Sequence, residues 1–591
     1  MKLRCVSAAL STAMLMSLAV TSCAEKNGAA SPSDSAETDT NAEVDAPYEA
    51  EGMRFSAKGG FYESGFSLSI SADEDYQIFY TLDGSVPTAN SIRYTEPIQI
   101  TDRSAEENVL SAHTDIAQPV ELAKDFKPRE TVDKATVVRA ITIDKDGNKS
   151  PIVSNTYFIG YGQRAEYYKN FKIVSILTDE ANLFDYDNGI YVLGKTYDDW
   201  KKNDYDPSVP DWFIPANYTQ KGREWERGAA VQFFENGELA ATQEVGIRIH
   251  GGATRSYSQK SFNVYARNSY GTPKLEYDLF SGNVRSKSGG EPVTVFDSFI
   301  LRNGGNDAMY TRFSDKLVQS LVSDRQFLTQ GMEPCIVFID GEYWGHYEIT
   351  EKMDDDFISS HYGVPAQDVC IIKKEALDDG SEETFAEWEE LERWIKTTDF
   401  SSNWAYDELC SRVDMQGFMD YVSTEIYINN SDWGSKNMAM WKAETIDENN
   451  PYADGRWRFI LYDTEYSAGI YGEALPSEDS FKKLMKSECF LADLFNGAME
   501  NEGFRQQFSD TFMEIADKNF GSNKVKAEID RLSEEYHDIT IDTYNRFWSG
   551  LTGGYGAESN YNAAVDSLRS FYNKRHDYIV EHLKKHMESL S

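Results

Sequence analysis

Residues 429–437 read NNSDWGSKN and residues 457–465 read WRFILYDTE, and these two stretches decide how the chain is organised. An apolar pattern with helical spacing precedes the first stretch and predicts a helix, with Asp414 as its N-cap. Residues 438–442 predict a strand after it, and a polar turn over residues 447–455 reverses the chain into the second stretch. The predicted order is therefore helix, loop, hairpin, and a carboxylate just beyond the hairpin.

The polar residues in this order have the spacing that phosphoryl transfer requires. Such chemistry needs a carboxylate to orient or deprotonate the attacking hydroxyl, and oxygen ligands for Mg²⁺ at the phosphates. Asp432 and Asn437 can present both groups from one loop, and the returning hairpin brings Asp463 beside them. Asp432 is the candidate base, Asn437 and Asp463 are candidate metal ligands, and Glu465 is a weaker one. The same residue types also occur in ordinary turns, so the loop has a purely structural interpretation too.

A second candidate lies upstream, where residues 245–262 read VGIRIHGGATRSYSQKSF and predict a strand, a Gly-rich loop and a strand. Gly251 and Gly252 allow a close backbone approach to an anion. Three cations flank them and can supply charge to phosphates: Arg248, Arg255 and Lys260. The alternative is a plain hairpin whose cations pair with surface acids.

A third block, residues 337–352, reads VFIDGEYWGHYEITEK and predicts a hairpin that leads into a helix over residues 354–361. Glu351 is a candidate anchor for a nucleotide-binding lysine, as the helix glutamate is in protein kinases. It can equally be an acid that the dipole of a following helix favours.

Taken together, several blocks resemble the CotH family of atypical secreted kinases, and they occur in the family's order: Gly189–Val192, Ile247–Phe262, Leu301–Asn303, Asp340–Asp354, Asn429–Asn437 and Trp457–Gly469. The resemblance implies a two-lobed kinase-like fold, ATP with Mg²⁺ or Mn²⁺, and phosphorylation of Ser or Thr in protein substrates. The chain departs from ordinary kinases because it has no GxGxxG motif and no VAIK-like lysine.

Residues 48–160 have a different pattern, with short alternating strands separated by turn residues, which predicts a small all-β sandwich. The run IFYTLDGSVPT at residues 78–88 resembles the Ig-like domain found at the C-terminus of chitobiases and hexosaminidases. That resemblance implies an accessory spacer. Contact with a polysaccharide is the alternative.

The N-terminus has the features of an export signal. Lys2 and Arg4 precede an apolar stretch, and residues 20–23 read VTSC, which resembles the bacterial lipobox. We therefore predict a signal peptide over residues 1–22, lipidation of Cys23, and an acidic flexible tether over residues 23–47. The predicted location is the outer face of a bacterial cell membrane, to which the lipid anchors the protein.

Composition excludes several classes of function. The chain has 591 residues, and 98 acidic against 58 basic residues give a net charge of −40, which disfavours binding to nucleic acid. The six cysteines and eight histidines form no spaced metal motif, so zinc hydrolysis is not expected. The four cysteines outside the N-terminal segment are predicted to be buried thiols, with room for one disulfide.

Residues 167–591 predict one large α+β domain, strand-rich in its first half and helix-rich in its second. Helices are predicted over residues 382–398, 414–429, 479–496 and 561–588. Two functions remain open from the sequence. The first is a surface-anchored kinase that modifies exported or cell-surface proteins, and the second is a non-catalytic scaffold, adhesion or carbohydrate-associated protein with the same fold.

Overall fold

A computed structural model describes residues 48–117, 127–548 and 556–590. The predicted signal peptide, the tether and the lipidation candidate Cys23 lie outside the described residues. No helix within the described ranges combines the length and the apolar character that a membrane span requires.

The N-terminal region contains ten strands: β1 (Tyr48–Ala50), β2 (Met53–Phe55), β3 (Gly60–Tyr62), β4 (Phe66–Leu68), β5 (Ile70–Ser71), β6 (Gln77–Thr81), β7 (Ile92–Arg93), β8 (Ile98–Ile100), β9 (Thr136–Ile143) and β10 (Val153–Ile159). The following strands are β11 (Lys172–Leu177), β12 (Arg227–Glu235), β13 (Glu238–His250), β14 (Ser261–Tyr265), β15 (Leu275–Glu276), β16 (Val295–Phe296), β17 (Ser298–Arg302), β18 (Met332–Ile339), β19 (Glu342–Glu351), β20 (Val369–Lys373), β21 (Ala376–Asp379), β22 (Ala439–Ala443) and β23 (Arg458–Ile460).

The largest sheet has twelve strands in the order β12-β11-β18-β19-β17-β14-β13-β3-β10-β9-β6-β7. Strand β12 also pairs with β13 along its length, so the seven strands from β12 to β13 close into a ring. Closure works because β13 is thirteen residues long and pairs with β12 over most of its length and with β14 at its end. Strands β11 and β18 are buried on both faces for most of their length, which explains why they read as nearly continuous apolar runs.

The N-terminal β-region is built into this sheet. Arg139 on β9 is buried and donates to the Glu244 carboxylate of β13 at 2.7 and 2.9 Å. Phe158 on β10 packs edge-on against Phe234 and Phe338, with ring centroids 5.3 and 5.0 Å apart. The β-region and the larger region therefore share a sheet and a core, and the described residues from Tyr48 onward belong to one compact unit.

Thirteen α-helices lie within the described residues: α1 (Gln163–Lys169), α2 (Glu180–Phe184), α3 (Gly194–Asn203), α4 (Ser314–Leu321), α5 (Asp355–Tyr362), α6 (Glu382–Thr397), α7 (Asn403–Arg412), α8 (Met415–Ile428), α9 (Ser480–Met485), α10 (Phe490–Ala498), α11 (Glu502–Glu514), α12 (Ser522–Phe547) and α13 (Ala557–Leu590). The chain is thus a mixed helix and sheet protein, and the helix-rich second half is confirmed.

Local chemistry explains where these helices begin and end. The Asp414 carboxylate accepts from the amide of Gly417 at 3.4 Å and caps α8, as the sequence predicts. The helix predicted over residues 479–496 is wrong in one respect, because it is two helices, α9 and α10. The chain is extended at Cys489, and the Phe490 amide donates to the Glu375 side chain at 2.7 Å, so the helical hydrogen bonds stop there.

A second, four-stranded sheet has the order β21-β20-β22-β23 and carries the predicted hairpin. Helix α8 packs against β23, and the backbone of Leu328 bonds to Phe459 and Leu461 on either side of β23's end at 3.1 and 2.8 Å. These bonds fix the hairpin beside the segment that follows the ring strand β17. The four described cysteines, Cys335, Cys370, Cys410 and Cys489, are free thiols, three of them buried.

The shared core makes a prediction about stability. Phe158→Ala should lower the free energy of unfolding of the whole unit by about 3–5 kcal/mol, because it opens a cavity between two regions of the chain. Urea unfolding followed by circular dichroism measures this loss as one cooperative transition.

The matched control is Phe213→Ala, whose ring is 58% exposed and whose loss should cost less than about 0.5 kcal/mol. A loss below about 1 kcal/mol for Phe158→Ala, or two separate transitions, would contradict the shared core.

Candidate functional site

The predicted catalytic loop begins where α8 ends. Asn429 adopts the left-handed conformation with φ 54° and stops the helix, and its side-chain amide donates to the Leu475 carbonyl at 3.0 Å. The loop is tied to the segment beyond the hairpin by two backbone bonds. The Ser431 amide donates to the Tyr466 carbonyl at 2.8 Å, and the Ala468 amide donates to the Ile428 carbonyl at 3.0 Å.

The hairpin register brings the remaining candidates to the same end. Ala439 on β22 lies opposite Ile460 on β23. Asn437 precedes Ala439 by two residues and Asp463 follows Ile460 by three, so both leave the hairpin at one edge. The structure therefore places Asp432, Asn437 and Asp463 on adjoining segments, as the predicted order requires.

Asp432 is accessible but already paired. Its side chain is 25% exposed, and it accepts from the Lys436 ammonium of the same loop at 2.6 Å. Its own amide donates to the Asn430 side chain at 3.0 Å, which holds the turn. Lys436 is itself 69% exposed.

Asp463 is held by a cation from the strand-rich half. Arg302, the last residue of β17, donates to Asp463 at 3.1 Å and to Asp315 at 2.8 Å, and it also pairs with Glu465. Burial opposes ionisation of Asp463, but the bond with Glu465 and the Arg302 guanidinium outweigh it and keep the pKa of Asp463 below its ordinary value. Asp463 is thus an anion at neutral pH.

Glu465 behaves in the opposite way. Burial raises the pKa of Glu465 well above its ordinary value, against the attraction of Arg302, and the neighbouring carboxylates of Asp463 and Asp315 raise it further. Its Oε1 faces Arg302, whereas its Oε2 is buried without a hydrogen-bond partner among the described residues. The two neighbouring acids are thus shifted in opposite directions, with the pKa of Glu465 raised and that of Asp463 lowered.

Glu425, which the sequence reading overlooked, is a further acid at this place. It lies on α8, is fully buried, and neither of its oxygens has a hydrogen-bond partner within the described part of the chain. Burial raises its pKa to about 8, the nearby Asn430 amide opposes this shift, and the charges of Asp315 and Asp463 add to it. Unpartnered buried oxygens of this kind are uncommon and mark a strained or functional position.

The Gly-rich loop meets this cluster through His250, the last residue of β13. His250 bonds to Asn263 at 3.1 Å, and burial together with the positive charge of Arg302 lowers its pKa to about 3. It is therefore neutral, and the negative charge of the nearby Asp463 opposes this lowering of its pKa. The next residue, Gly251, has φ 107°, a backbone conformation that would be strained for a residue with a side chain.

The three cations of the Gly-rich block differ in what they contact. Arg248 lies over the ring of Tyr265 at 4.9 Å and donates to its hydroxyl, and no carboxylate within the described ranges pairs with it. Arg255 is buried and donates to the carbonyls of Gly251, at 2.6 Å, and of Gln220, at 2.8 Å. Arg248 is thus the cation of this group that keeps a charge available beside the loop.

Lys260 is fully buried and occupied by the protein itself. Its ammonium donates to the carbonyls of Arg255 and Tyr257, both at 2.7 Å, and lies 3.7 Å from the Tyr218 ring centroid. Burial, followed by repulsion from Arg255, lowers the pKa of Lys260 well below its ordinary value. In this structure Lys260 supports the Gly-rich loop from within, and its predicted contact with phosphate stays a prediction.

Glu351 also has partners of its own. It is the last residue of β19, and α5 begins only at Asp355, so it does not stand on a helix. Its carboxylate bonds to His361 at 2.9 Å and accepts from the Gly331 amide at 2.8 Å. The structure does not bring Glu351 and Lys260 together, and the predicted nucleotide role of Glu351 remains untested by these contacts.

The sequence reading missed Arg302, Asp315 and Glu425 as site residues. Arg302 lies in a quoted family block, so a signal for it existed, whereas Asp315 and Glu425 stand on helices whose sequences look ordinary. Within the residues that the structure describes, no group of three or more His, Cys, Asp or Glu side chains is already arranged to hold a metal ion.

Two family models match parts of the chain. Residues 247–579 match the model of the CotH kinase protein family, and residues 66–157 match the family model described as Fn3 associated. No curated protein matches the chain significantly.

The raised pKa of Glu425 makes a prediction about pH. Its folded-state value of about 8 lies above the ordinary 4.5, so folding disfavours the ionised form and stability is lost as the pH rises from 4.5 to about 8. Glu425→Gln removes this penalty. The variant should equal the wild type near pH 4 and exceed its free energy of unfolding by about 3 kcal/mol at pH 7.

Thermal and urea melts across this pH range, with a chelator present, measure the difference. The exposed Glu383→Gln is the control and should change stability little at any pH. Equal stability of Glu425→Gln and wild type at pH 7 would show that the carboxylate has a partner in solution.

Proposed function

The chain belongs to the CotH kinase protein family, and we propose that it is an atypical, metal-dependent kinase that transfers phosphate from ATP to Ser or Thr of exported proteins. The observation that carries the proposal is the bond between Ser431 and Tyr466, because it joins the Asp432 loop to the Asp463 segment. Asn437 leaves the hairpin at the same edge. A candidate base and two candidate metal ligands are thus gathered in kinase order.

The proposal includes a two-lobed, kinase-like arrangement. The strand ring and the N-terminal β-region would form one lobe, and the helices with the four-stranded sheet would form the other. Arg302 supports this division because it extends from a ring strand to Asp463, which follows the last strand of the second sheet. A nucleotide between the lobes would meet the Gly251 loop on one side and Asp463 on the other.

The residues at this place fit a divalent cation. Oxygen donors are what Mg²⁺ and Mn²⁺ prefer, and the site offers Asn437 and an ionised Asp463, with unpartnered buried oxygens on Glu425 and Glu465 close by. When bound, the metal would neutralise negative charge on the phosphates. Asp463 and Asn437 would hold it, and Arg302 would keep Asp463 ionised and oriented.

Asp432 would act on the substrate hydroxyl. Once Lys436 releases it, the carboxylate can accept the hydroxyl's hydrogen bond and orient the oxygen for attack, taking up its proton as the new bond forms. Around the nucleotide, Arg248 and the amides of the Gly251–Gly252 turn would contact phosphate. Arg255 and Lys260 would shape that turn through the carbonyls that they bind.

The remaining parts of the proposal concern location and partners. The lipobox-like residues and acidic tether support an exported protein anchored by Cys23 on the outer face of the membrane, where its substrates would be exported or cell-surface proteins. An Ig-like spacer role, or contact with polysaccharide, remains a proposal for residues 48–160.

A binding protein without catalysis is the second candidate function. It is favoured by the contact between Lys436 and Asp432, which occupies the candidate base. A scaffold, adhesion or carbohydrate-associated protein has no need of a free carboxylate in this loop. The two functions differ in whether phosphate is transferred.

The test incubates residues 45–591 with ATP and Mg²⁺ or Mn²⁺, adds a generic protein substrate, and reads intact mass for added phosphate. Asp463→Asn should abolish the mass gain, and Asp432→Asn should slow it by about 10²-fold or more with nucleotide binding preserved. Both losses should occur without loss of the fold by thermal melt.

Asp577→Asn is the matched control, since that carboxylate is 96% exposed on α13, and it should retain full activity. Full activity in Asp463→Asn would remove Asp463 from the site. No mass gain and no nucleotide-induced thermal shift in the wild type would favour the binding protein.

A further inference from the structure

The segment from Asp463 to Ala474 has an unusual backbone. Four of its residues with side chains adopt positive φ: Asp463 at 57°, Ala468 at 51°, Tyr471 at 57° and Ala474 at 49°. This conformation is unfavourable for residues that have a side chain, because the Cβ comes close to the following carbonyl oxygen. Such a conformation persists only where surrounding contacts impose it.

Besides the backbone bonds to Ser431 and Ile428, the segment has contacts with the end of β17 and with the turn residues that follow it. Arg302 is 14% exposed and pairs with both carboxylates at the start of the segment, Asp463 and Glu465. Between them, Thr464 donates its hydroxyl to Asp315 at 2.8 Å, and Asp315 is itself bound to Arg302. Three consecutive residues of the segment are thus connected to one guanidinium.

The same turn holds the segment at two further points. Gly305 lies so close that an added Cβ would stand 2.3 Å from Glu465 Oε1, which makes a side chain at this position incompatible with the pair. At the other end, the Tyr471 hydroxyl donates to the Asn306 carbonyl at 3.0 Å. Residues 302–306 therefore contact this segment at both ends, at Asp463 and Glu465 and at Tyr471.

We propose that Arg302 is a positioning residue, which fixes the segment 463–474 and with it the Asp463 carboxylate. The part of the inference that makes Asp463 a metal ligand rests on the proposed function. A guanidinium suits the task because its rigid fork serves several carboxylates at once. Lysine keeps the charge but cannot reproduce that geometry, so Arg302→Lys separates position from charge.

The first measurement needs no metal and no substrate. Hydrogen–deuterium exchange of residues 45–591, with a chelator present, should be at least about 10-fold faster across residues 463–474 in Arg302→Lys than in wild type. The matched control is Arg325→Lys. Arg325 is 10% exposed and lies 3.8 Å from Asp420, away from this segment, so its replacement should leave exchange at residues 463–474 unchanged.

The second measurement is Mn²⁺ binding by titration calorimetry. Arg302→Lys should weaken Mn²⁺ affinity by about 10-fold or more, and Arg325→Lys should leave it at the wild-type value. Tighter binding in Arg302→Lys would overturn the inference, since Arg302 would then compete with the metal for Asp463. Unchanged exchange at residues 463–474 would overturn it as well.

The two measurements separate the two proposals. Faster exchange in Arg302→Lys, with no Mn²⁺ binding even in the wild type, would support the positioning of the segment while the metal-dependent kinase fails. If Arg302→Lys does not fold, Gly305→Ala tests the same contact, because its methyl would stand 2.3 Å from Glu465 Oε1 and 3.1 Å from Arg302 Nη2 and would disturb the pair while the guanidinium is retained. Gly305→Ala should also speed exchange at residues 463–474, and no change there would overturn the inference.

Discussion

The ion pairs of Arg302 are the interaction on which the described site depends. One guanidinium at the end of a ring strand meets Asp315 on α4 and both acids that follow the last strand of the second sheet. Without it, Asp463, Glu465 and Asp315 would face one another where water is scarce, and their repulsion would be strong. The cation lets acids gather closely enough to act on a single ligand.

The closed ring of strands connects the N-terminal β-region to the candidate site. Strand β13 runs from its contact with the N-terminal β-region, past the Arg139–Glu244 ion pair, to His250 and the Gly-rich turn. A change in the β-region therefore acts on the same strand that ends at the candidate nucleotide loop. The β-region is a structural component of the unit, whatever else it binds.

The basic residues around the loop divide by burial. Lys260 and Arg255 bind backbone carbonyls from within, and the cost of burying their charge is offset by those bonds and by the Tyr218 ring. Arg248 meets a neutral hydroxyl and keeps a charge beside the turn. A basic cluster that looks uniform in sequence thus has two physical roles, and burial separates them.

Much of the fold was predictable because its signals are local. The Asp414 cap, the apolar pattern of α8 and the polar turn of the hairpin each depend on neighbouring residues, so the order helix, loop, hairpin, Asp could be read directly. The break between α9 and α10 could not be read from local sequence. A distant carboxylate, Glu375, accepts a hydrogen bond from the amide of Phe490, the first residue of α10.

By itself, the sequence determined the mixed helix and sheet class and the order of Asp432, Asn437 and Asp463, since these follow from spacing and periodicity. The family came from the resemblance of whole sequence blocks, with which the family model agrees. The tertiary structure decided the closure of the ring, the burial of Lys260, and the meeting of Arg302 with acids 161 and 163 positions further along the chain. Burial and long-range ion pairs depend on how distant segments pack, and no local pattern of residues encodes that packing.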